Sequence, residues 1–187
     1  MARTEIRIAG FGGQGVITAG YILANSASIH DDKHAVMTQS YGPEARGGAC
    51  RSDAIISDAQ IDYPKTTRPD VLVAMSLDAF NMYNREVRDG GMVIYDEDLV
   101  QIPEDDKRED VRYVPVPASR IASELGNTLV SNIVMLGALL KLTDISNKAA
   151  LENSIKDRFT RYIETNLKAL EKGIELADEN WHKIRKM

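Results

Sequence analysis

The sequence predicts an α/β protein, a three-layer α/β/α sandwich with a mostly parallel or mixed sheet and a helical C-terminal extension. Three observations lead to this prediction. Strand-like and helix-like segments alternate through the first two-thirds of the chain. Two short apolar runs, "VLVAMS" and "GGMVIYD", are bounded by turn residues, which is typical of central strands buried on both faces. The tail carries apolar residues every three or four positions, which is typical of an amphipathic helix.

Length and composition fit one well-buried domain. The chain has 187 residues, of which 43% are hydrophobic. We expect a single domain over 1–187, with an α/β core at 1–145 and C-terminal helices at 146–187. The net charge of -5 argues against general nucleic-acid binding. The N-terminus lacks the apolar run of a signal peptide, and the most apolar segment is too short to cross a bilayer. We therefore expect a cytoplasmic protein that binds neither nucleic acid nor membrane.

The first elements follow from apolar spacing and from breaker residues. Residues 5–9, "EIRIA", predict a strand, and a helix should begin between Gly13 and Gly15. "HAVMTQSY" predicts a second strand, and "GPEARGG" a loop, because proline and glycine interrupt regular elements. Residues 49–63 are interpreted as two strands joined by a turn near Asp58, which suggests a mixed sheet.

The remaining elements alternate and then become helical. "PDVLVAMS" and "GGMVIYD" predict buried strands separated by a helix over "LDAFNMYNREV". "VRYVPVP" predicts a strand near an edge because of its prolines. "ASRIASELG" opens a helical region that continues through an apolar helix at 128–142. One long amphipathic helix is predicted in the tail. Its apolar stripe consists of Phe159, Ile163, Leu167, Leu170, Ile174, Ala177, Trp181 and Ile184. This stripe should cover either the chain's own sheet or another subunit.

The glycines of "GFGGQG" have the spacing of a phosphate-binding loop. Gly10, Gly12 and Gly15 match G-x-G-x-x-G between a strand and a helix. Gly10 would permit the tight turn, and Gly12 would let a ligand approach the backbone. Gly15 would let the following helix pack closely on the preceding strand. Gly13 and Gln14 complete the loop, and the helix start offers N–H groups to an anion. Two interpretations remain open, a bound nucleotide and a tight strand-to-helix junction, because no carboxylate follows the second strand to bind a ribose.

A second loop should lie beside the first, at the carboxyl edge of the sheet. Its candidate site residues are Tyr41, Gly42, Glu44, Arg46, Gly47 and Gly48. Arg46 could bind a phosphate or carboxylate with two hydrogen bonds, or pair with Glu44 to hold the shape of the loop. A contact with another subunit through this loop is compatible with both interpretations.

The chain shows no nucleophile–base pair and no metal-ligand cluster, so no catalytic or metal-binding residue is predicted. Cys50, the single cysteine, is interpreted as a small buried residue. Asp96 and Asp98 follow a strand end and are interpreted as solvated carboxylates rather than cation ligands. Asn127 and Asn132 are interpreted as capping or core residues, although they could line a site.

Several motifs in order give the sequence a family resemblance. "GFGGQGVITAG", "QSYGPEARGG", "SDAQIDYP", "RPDVLVAMS", "GGMVIYD" and "GNTLVSNIVMLGAL" resemble the gamma subunit of 2-oxoacid:ferredoxin oxidoreductases. The likeness covers roughly residues 5 to 142, and "SYGPEARGG" is most similar to the 2-oxoglutarate branch.

The resemblance implies a subunit that is catalytically silent alone. Such enzymes convert a 2-oxoacid and coenzyme A to acyl-CoA and carbon dioxide and reduce ferredoxin. Thiamine diphosphate and magnesium are then expected between the alpha and beta subunits and the iron–sulfur clusters elsewhere in the complex, with a delta subunit as a further candidate partner. This fits a chain with one cysteine and no thiamine-binding signature. The two loops would face the coenzyme A path, with coenzyme A as a shared ligand.

Two other classes of function compete with this interpretation. A stand-alone Rossmann-like regulator or reductase would bind NAD, FAD or a mononucleotide tightly by itself. A homo-oligomer without heteromeric partners would use the apolar stripe of the tail for self-contact.

Overall fold

A computed structural model describes residues 3–41 and 48–184, with side chains described up to residue 177. In this part of the chain the strands are β1 (Thr4–Phe11), β2 (His34–Tyr41), β3 (Ala49–Ser57), β4 (Val71–Ala74), β5 (Met92–Asp96) and β6 (Arg112–Val116). The helices are α1 (Val16–His30), α2 (Leu77–Tyr83), α3 (Ala118–Glu124), α4 (Ser131–Thr143), α5 (Lys148–Arg158) and α6 (Ile163–Ile184). Short 3₁₀ turns lie at Asn84–Glu86, Glu104–Asp106 and Thr128–Val130.

The strands form one mixed six-stranded sheet in the order β2-β3-β1-β4-β5-β6. The β1–β4, β4–β5 and β5–β6 pairs are parallel, whereas β3 is antiparallel to both β1 and β2. This confirms the predicted mixed α/β sheet, the central place of β4 and the edge position of β6. Because β3 alone runs against the others, the carboxyl ends of β1, β2 and β4 meet the start of β3 at one edge.

The predicted hairpin at 49–63 is wrong. β3 ends at Ser57, and no strand follows it before Val71. Its partners are instead distant along the chain: Cys50 lies opposite Tyr41 on one side and opposite Gly10 on the other. The alternating pattern correctly indicated an antiparallel strand, but the identity of its neighbours depends on tertiary pairing that local spacing does not encode.

The two faces of the sheet are covered unequally. The larger cluster packs the inward residues of α1, α3 and α4 on one face, with Ile8 and Ile94 among the buried strand residues. On the other face, α2 packs through Phe80 and Tyr83, joined by Val100 and Val111 from the connecting segments. The result is the predicted three-layer arrangement with a thin second helical layer.

The C-terminal helices pack on the chain's own core. The predicted single stripe from Phe159 to Ile184 is interrupted, because α5 ends at Arg158 and α6 begins at Ile163. Leu170 and Ala177 of α6 are fully buried in the same cluster as α4. The part of the stripe whose side chains are described, up to Ala177, therefore packs on the chain's own domain, mainly on α4 rather than directly on the sheet. Among the described helices, none combines the length and the apolar character needed to cross a bilayer.

Candidate functional site

The glycine-rich segment links β1 to α1 at the edge where the parallel strands end. β1 ends at Phe11 and α1 begins at Val16, so Gly12–Gly15 form the turn. Gly10 lies within β1 rather than in the turn, contrary to the role that the spacing suggested. Open α/β sheets commonly bind ligands at this edge, because helix N-termini present N–H groups there.

The turn depends on two residues with left-handed backbone conformations. Gly13 has a φ of 104° and Gly15 a φ of 73°, a region that side chains with a Cβ rarely adopt. Gly15 is the N-cap of α1, and no side chain caps that helix. The first turn of α1 also holds no acidic residue. Its N–H groups, which have no partner within a helix, are therefore suited to an anion.

Gln14 fastens this turn to the neighbouring strand. Its Oε1 accepts a hydrogen bond from the Phe11 backbone N–H at 2.7 Å, and its Nε2 donates to the Met75 carbonyl, also at 2.7 Å. Both polar atoms of the side chain are thus bonded to backbone. Gln14 holds the glycine turn against the end of β4 and fixes the position of the helix start.

The two predicted loops meet at their bases. The backbone N–H of Gly12 donates to the carbonyl of Gly48 at 3.0 Å, which confirms that the start of β3 lies beside the glycine turn. Tyr41 closes β2 at the same edge and is exposed. The other predicted residues of the second loop, Gly42, Glu44, Arg46 and Gly47, lie outside the described residues.

A cleft of about 250 Å³ opens beside the glycine turn. Parts of the chain far apart in sequence form it: the turn itself, the 3₁₀ turn before α4, and the connection between α5 and α6. We call it the asparagine cleft, and its lining residues are Gly13, Gly15, Thr18, Asn127, Leu129, Val130, Asn132, Phe159, Arg161, Tyr162 and Asn166. Among these residues Arg161 alone is charged, and no acidic side chain lines the cleft.

Asn132 connects the cleft to the glycine turn. Its Nδ2 donates a hydrogen bond to the Gly15 carbonyl at 3.0 Å, while its Oδ1 has no hydrogen-bond partner within the described structure. The side chain is almost fully buried, with 3% exposed. A buried acceptor without a donor is unfavourable by about 1–3 kcal/mol. Asn127 acts as predicted, because its Oδ1 caps the 3₁₀ turn by accepting from the Leu129 N–H.

Asp96 is fully buried, so the prediction that it is a solvated loop carboxylate is wrong. It accepts hydrogen bonds from the Ser119 hydroxyl at 2.6 Å and the Ser119 backbone N–H at 3.1 Å, at the start of α3. Burial raises the pKa of Asp96, and the hydrogen bonds from Ser119 oppose that rise. Asp98 is exposed, as expected, and accepts from the Arg120 N–H. Both carboxylates serve the β5–α3 connection.

Cys50 is buried, as the sequence predicted. Burial raises the pKa of the Cys50 thiol, so the reactive thiolate is disfavoured. Among the described residues, no group of three or more His, Cys, Asp or Glu side chains has a metal-binding arrangement.

The structure therefore brings together Gly12–Gly15, Gly48 and Asn132 at one edge. Arg161 and Tyr162 are not predicted site residues, because the apolar spacing of the tail predicts one continuous helix across them. Tyr162 has a φ of 56° and lets the chain turn between α5 and α6 without a glycine. No local signal marks that turn, so their place in the cleft follows only from the fold.

The chain matches a known protein family over most of its length. The family model described as "Pyruvate ferredoxin/flavodoxin oxidoreductase" matches residues 5–176. A curated relative, "2-oxoglutarate synthase subunit KorC" of Methanocaldococcus jannaschii, is 50% identical over 182 residues, which cover 95% of each chain.

Two solved structures share the fold. The gamma subunit of a keto/oxoacid ferredoxin oxidoreductase from Geobacter sulfurreducens is 39% identical, with a TM-score of 0.82, over 94% of this chain and 99% of that one. A 2-oxoglutarate:ferredoxin oxidoreductase from Magnetococcus marinus, solved with 2-oxoglutarate, coenzyme A and succinyl-CoA bound, is 26% identical, with a TM-score of 0.86. That match covers 96% of this chain but 32% of the larger polypeptide.

Proposed function

The chain belongs to the pyruvate ferredoxin/flavodoxin oxidoreductase family, and from this premise we propose that it is the gamma-type subunit of a 2-oxoglutarate:ferredoxin oxidoreductase. The assembled enzyme makes succinyl-CoA and carbon dioxide from 2-oxoglutarate and coenzyme A and reduces ferredoxin. The observation that carries the proposal is the near full-length likeness to a 2-oxoglutarate synthase subunit of similar size.

In this proposal the redox and thiamine chemistry belongs to partner subunits. An iron–sulfur cluster takes about four cysteine thiolates, whereas this chain has one cysteine. Thiamine diphosphate and magnesium are assigned to the alpha and beta subunits and the clusters to partner subunits of the complex, with a delta subunit as a further candidate partner. The residues of this chain would then bind and orient a substrate rather than react with it.

We assign the glycine turn and the second loop to coenzyme A. The uncapped start of α1 offers N–H groups to a phosphate, and no carboxylate in its first turn opposes an anion. Arg46 would add a bidentate charged contact from the neighbouring loop. The site residues proposed for this contact are Gly10, Gly12, Gly13, Gln14, Gly15, Tyr41, Gly42, Glu44, Arg46, Gly47 and Gly48.

Purification of the native assembly from its source cells tests the subunit assignment. Thiamine-binding and cluster-bearing chains should co-purify with this one, and the assembly should reduce ferredoxin with 2-oxoglutarate and coenzyme A. Recovery of a homo-oligomer alone would contradict the assignment. So would tight binding of NAD or FAD to the isolated chain in calorimetry, since that result favours a stand-alone nucleotide-binding protein.

Substitution of Arg46 tests the coenzyme A contact. In the reconstituted complex, Arg46→Ala should raise the KM for coenzyme A roughly tenfold and leave the KM for 2-oxoglutarate unchanged. Arg68→Ala is the matched control, because Arg68 is exposed and precedes β4 at the opposite edge of the sheet. An unchanged KM and kcat in the Arg46 variant would count against the assignment.

A further inference from the structure

We propose that the outer face of α1 and the open edge of β2 form a docking surface for a partner subunit, which adds an extended segment to the sheet beside β2. This inference rests on the proposed function, since the partner is another chain of that enzyme. We call the surface the uncharged face, and its residues are Ile17, Tyr21, Ala24, Ser28, Met37 and Gln39.

β2 is an edge strand without the usual protection against pairing. Among the described strands it is hydrogen-bonded to β3 alone, so its other edge is open. The strand is eight residues long and contains no proline and no Asp, Glu, Lys or Arg. The opposite edge strand, β6, is five residues long and contains Arg112 and Pro115, which both discourage the addition of a further strand. This contrast indicates that β2 is suited to pairing with another segment.

The outer face of α1 extends the surface without adding charge. Ile17, Tyr21, Ala24 and Ser28 have the spacing of a single helix face, and each is at least partly exposed. α1 contains no Asp, Glu, Lys or Arg, in a chain of which 27% is charged. The Ser28 hydroxyl donates to the Ala24 carbonyl at 3.0 Å, so its hydrogen bond is made within the helix. Depletion of charge is typical of the centre of a protein–protein interface.

A groove of about 370 Å³ joins the helix face to the strand edge. Its uncharged lining residues are Ile17, Thr18, Tyr21, Met37 and Gln39. Its two charged lining residues already contact α1. Asp157 Oδ2 lies 2.8 Å from His30 Nε2, and the Arg158 guanidinium lies over the Tyr21 ring at 5.8 Å. The groove therefore fits an apolar side chain from a strand beside β2, with the half-exposed Tyr21 as an aromatic anchor.

The identity of the occupant follows from a relative in which the same fold is part of a longer chain. The Magnetococcus marinus polypeptide matches 96% of this chain, but the match covers 32% of that polypeptide. Covalent linkage keeps two domains at a high effective concentration, whereas a separate chain must hold its neighbour by surface contact alone. The occupant is therefore the chain of the complex that corresponds to the remainder of that polypeptide, which we call the larger partner.

Thiol labelling of the assembled complex tests whether the uncharged face is covered. Gln39→Cys introduces a thiol in the groove, and Gln101→Cys is the matched control, because Gln101 is an exposed glutamine between β5 and β6. Cys50 is buried and should stay unreactive. Mass spectrometry of this chain's peptides after maleimide treatment should show roughly tenfold slower labelling of Gln39→Cys. Equal labelling rates in an active complex would overturn the inference.

Photo-crosslinking of the assembled complex identifies the occupant. The photoreactive residue p-benzoylphenylalanine replaces Tyr21 in one preparation and Ser28 in another, and irradiation should join this chain to the larger partner. A cross-link to a second copy of this chain, or only to a different subunit, would overturn the inference. So would the absence of any cross-link between chains. If the preparation labelled at Tyr21 does not assemble, the one labelled at Ser28 decides, because Ser28 does not line the groove.

Hydrogen exchange tests the pairing of β2 with an added segment. A free edge strand has alternate backbone amides in fast exchange, whereas a strand paired on both sides protects all of them. In the assembled complex both sets of β2 amides should exchange slowly, and fast exchange of one set would overturn the inference. In each contrary case the complex still turns over 2-oxoglutarate, so the proposed function stands. A preparation in which this chain joins no 2-oxoglutarate-oxidising complex would instead refute the proposed function.

Discussion

Gly137 of α4 and Gly173 of α6 face each other at the point where the two helices cross. A Cβ on Gly137 would lie 3.0 Å from the Cα of Gly173 and 2.2 Å from the Leu170 carbonyl oxygen. A Cβ on Gly173 would lie 2.0 Å from the Val134 carbonyl oxygen. The close contact on both sides is with rigid backbone, so the helices pack at this distance only because both positions lack a side chain.

Gly137→Ala should therefore lower the free energy of unfolding. The helices must separate to admit a methyl group, and overpacking of this kind costs about 1–3 kcal/mol. Urea denaturation followed by circular dichroism measures the effect. Asn153→Ala on the exposed face of α5 is the control and should change stability by less than about 0.5 kcal/mol. Equal stability of native protein and Gly137→Ala would show that the crossing is loose.

Arg7 and Asp53 form a buried ion pair whose loss we expect to be costly. Arg7 Nε lies 2.7 Å from Asp53 Oδ1, with side-chain exposures of 1% and 6%. Arg7 also pairs with Glu86 and donates to the Thr66 carbonyl. Arg7→Met should destabilise the protein by about 3–5 kcal/mol, because Asp53 remains buried without its main partner. Equilibrium urea unfolding measures this change.

A double variant distinguishes the lost pair from lost packing. Arg7→Met combined with Asp53→Leu should be more stable than Arg7→Met alone, since it leaves no unpaired carboxylate in the interior. A double variant no more stable than the single one would mean that the packing of Arg7, including its contact with the Tyr83 ring, carries the stability.

Asp31 should make the fold sensitive to acid. Burial alone would raise the pKa of Asp31, but Lys33 and Asn147 outweigh that effect, so the pKa is lowered overall. A lowered folded-state pKa means that the stabilisation is present above the ordinary carboxyl pKa of about 4 and is lost as the pH falls through the folded value. Asp31→Asn should thus be less stable than native protein at neutral pH, with the difference shrinking below about pH 4. Thermal melts across this range measure it, and a constant difference would contradict the assignment.

The elements that the sequence predicted well are those whose signal is local. β4 and β5 follow from apolar runs, and α1 follows from spacing after the glycines. The partners of β3 and the break at Tyr162 depend on distant contacts and on a left-handed residue without a glycine. The candidate site likewise has a part with a local sequence signal and a part that depends on distant contacts. The turn and its contact with Gly48 were predictable from motif and topology, whereas the free oxygen of Asn132 exists only because α4 packs against that turn.

Gln14 should affect substrate affinity through its hold on the glycine turn, in addition to any contact of its own with the substrate. Its two backbone contacts hold the glycine turn on β4, so Gln14→Ala should let the start of α1 shift and should raise the KM for coenzyme A more than it lowers kcat. We expect KM to rise by a factor of roughly 2 to 13, which corresponds to about 0.5–1.5 kcal/mol, the net contribution of one hydrogen bond. Gln14→Glu keeps the acceptor for Phe11 but loses the donor to Met75, so its KM should be at least as high as that of Gln14→Ala. Steady-state kinetics of the assembled complex, with 2-oxoglutarate saturating, measures both. If Gln14→Glu behaves like native protein, the contact with Met75 does not position the turn, and the helix start must be held by Asn132 and the chain connection to β1 alone.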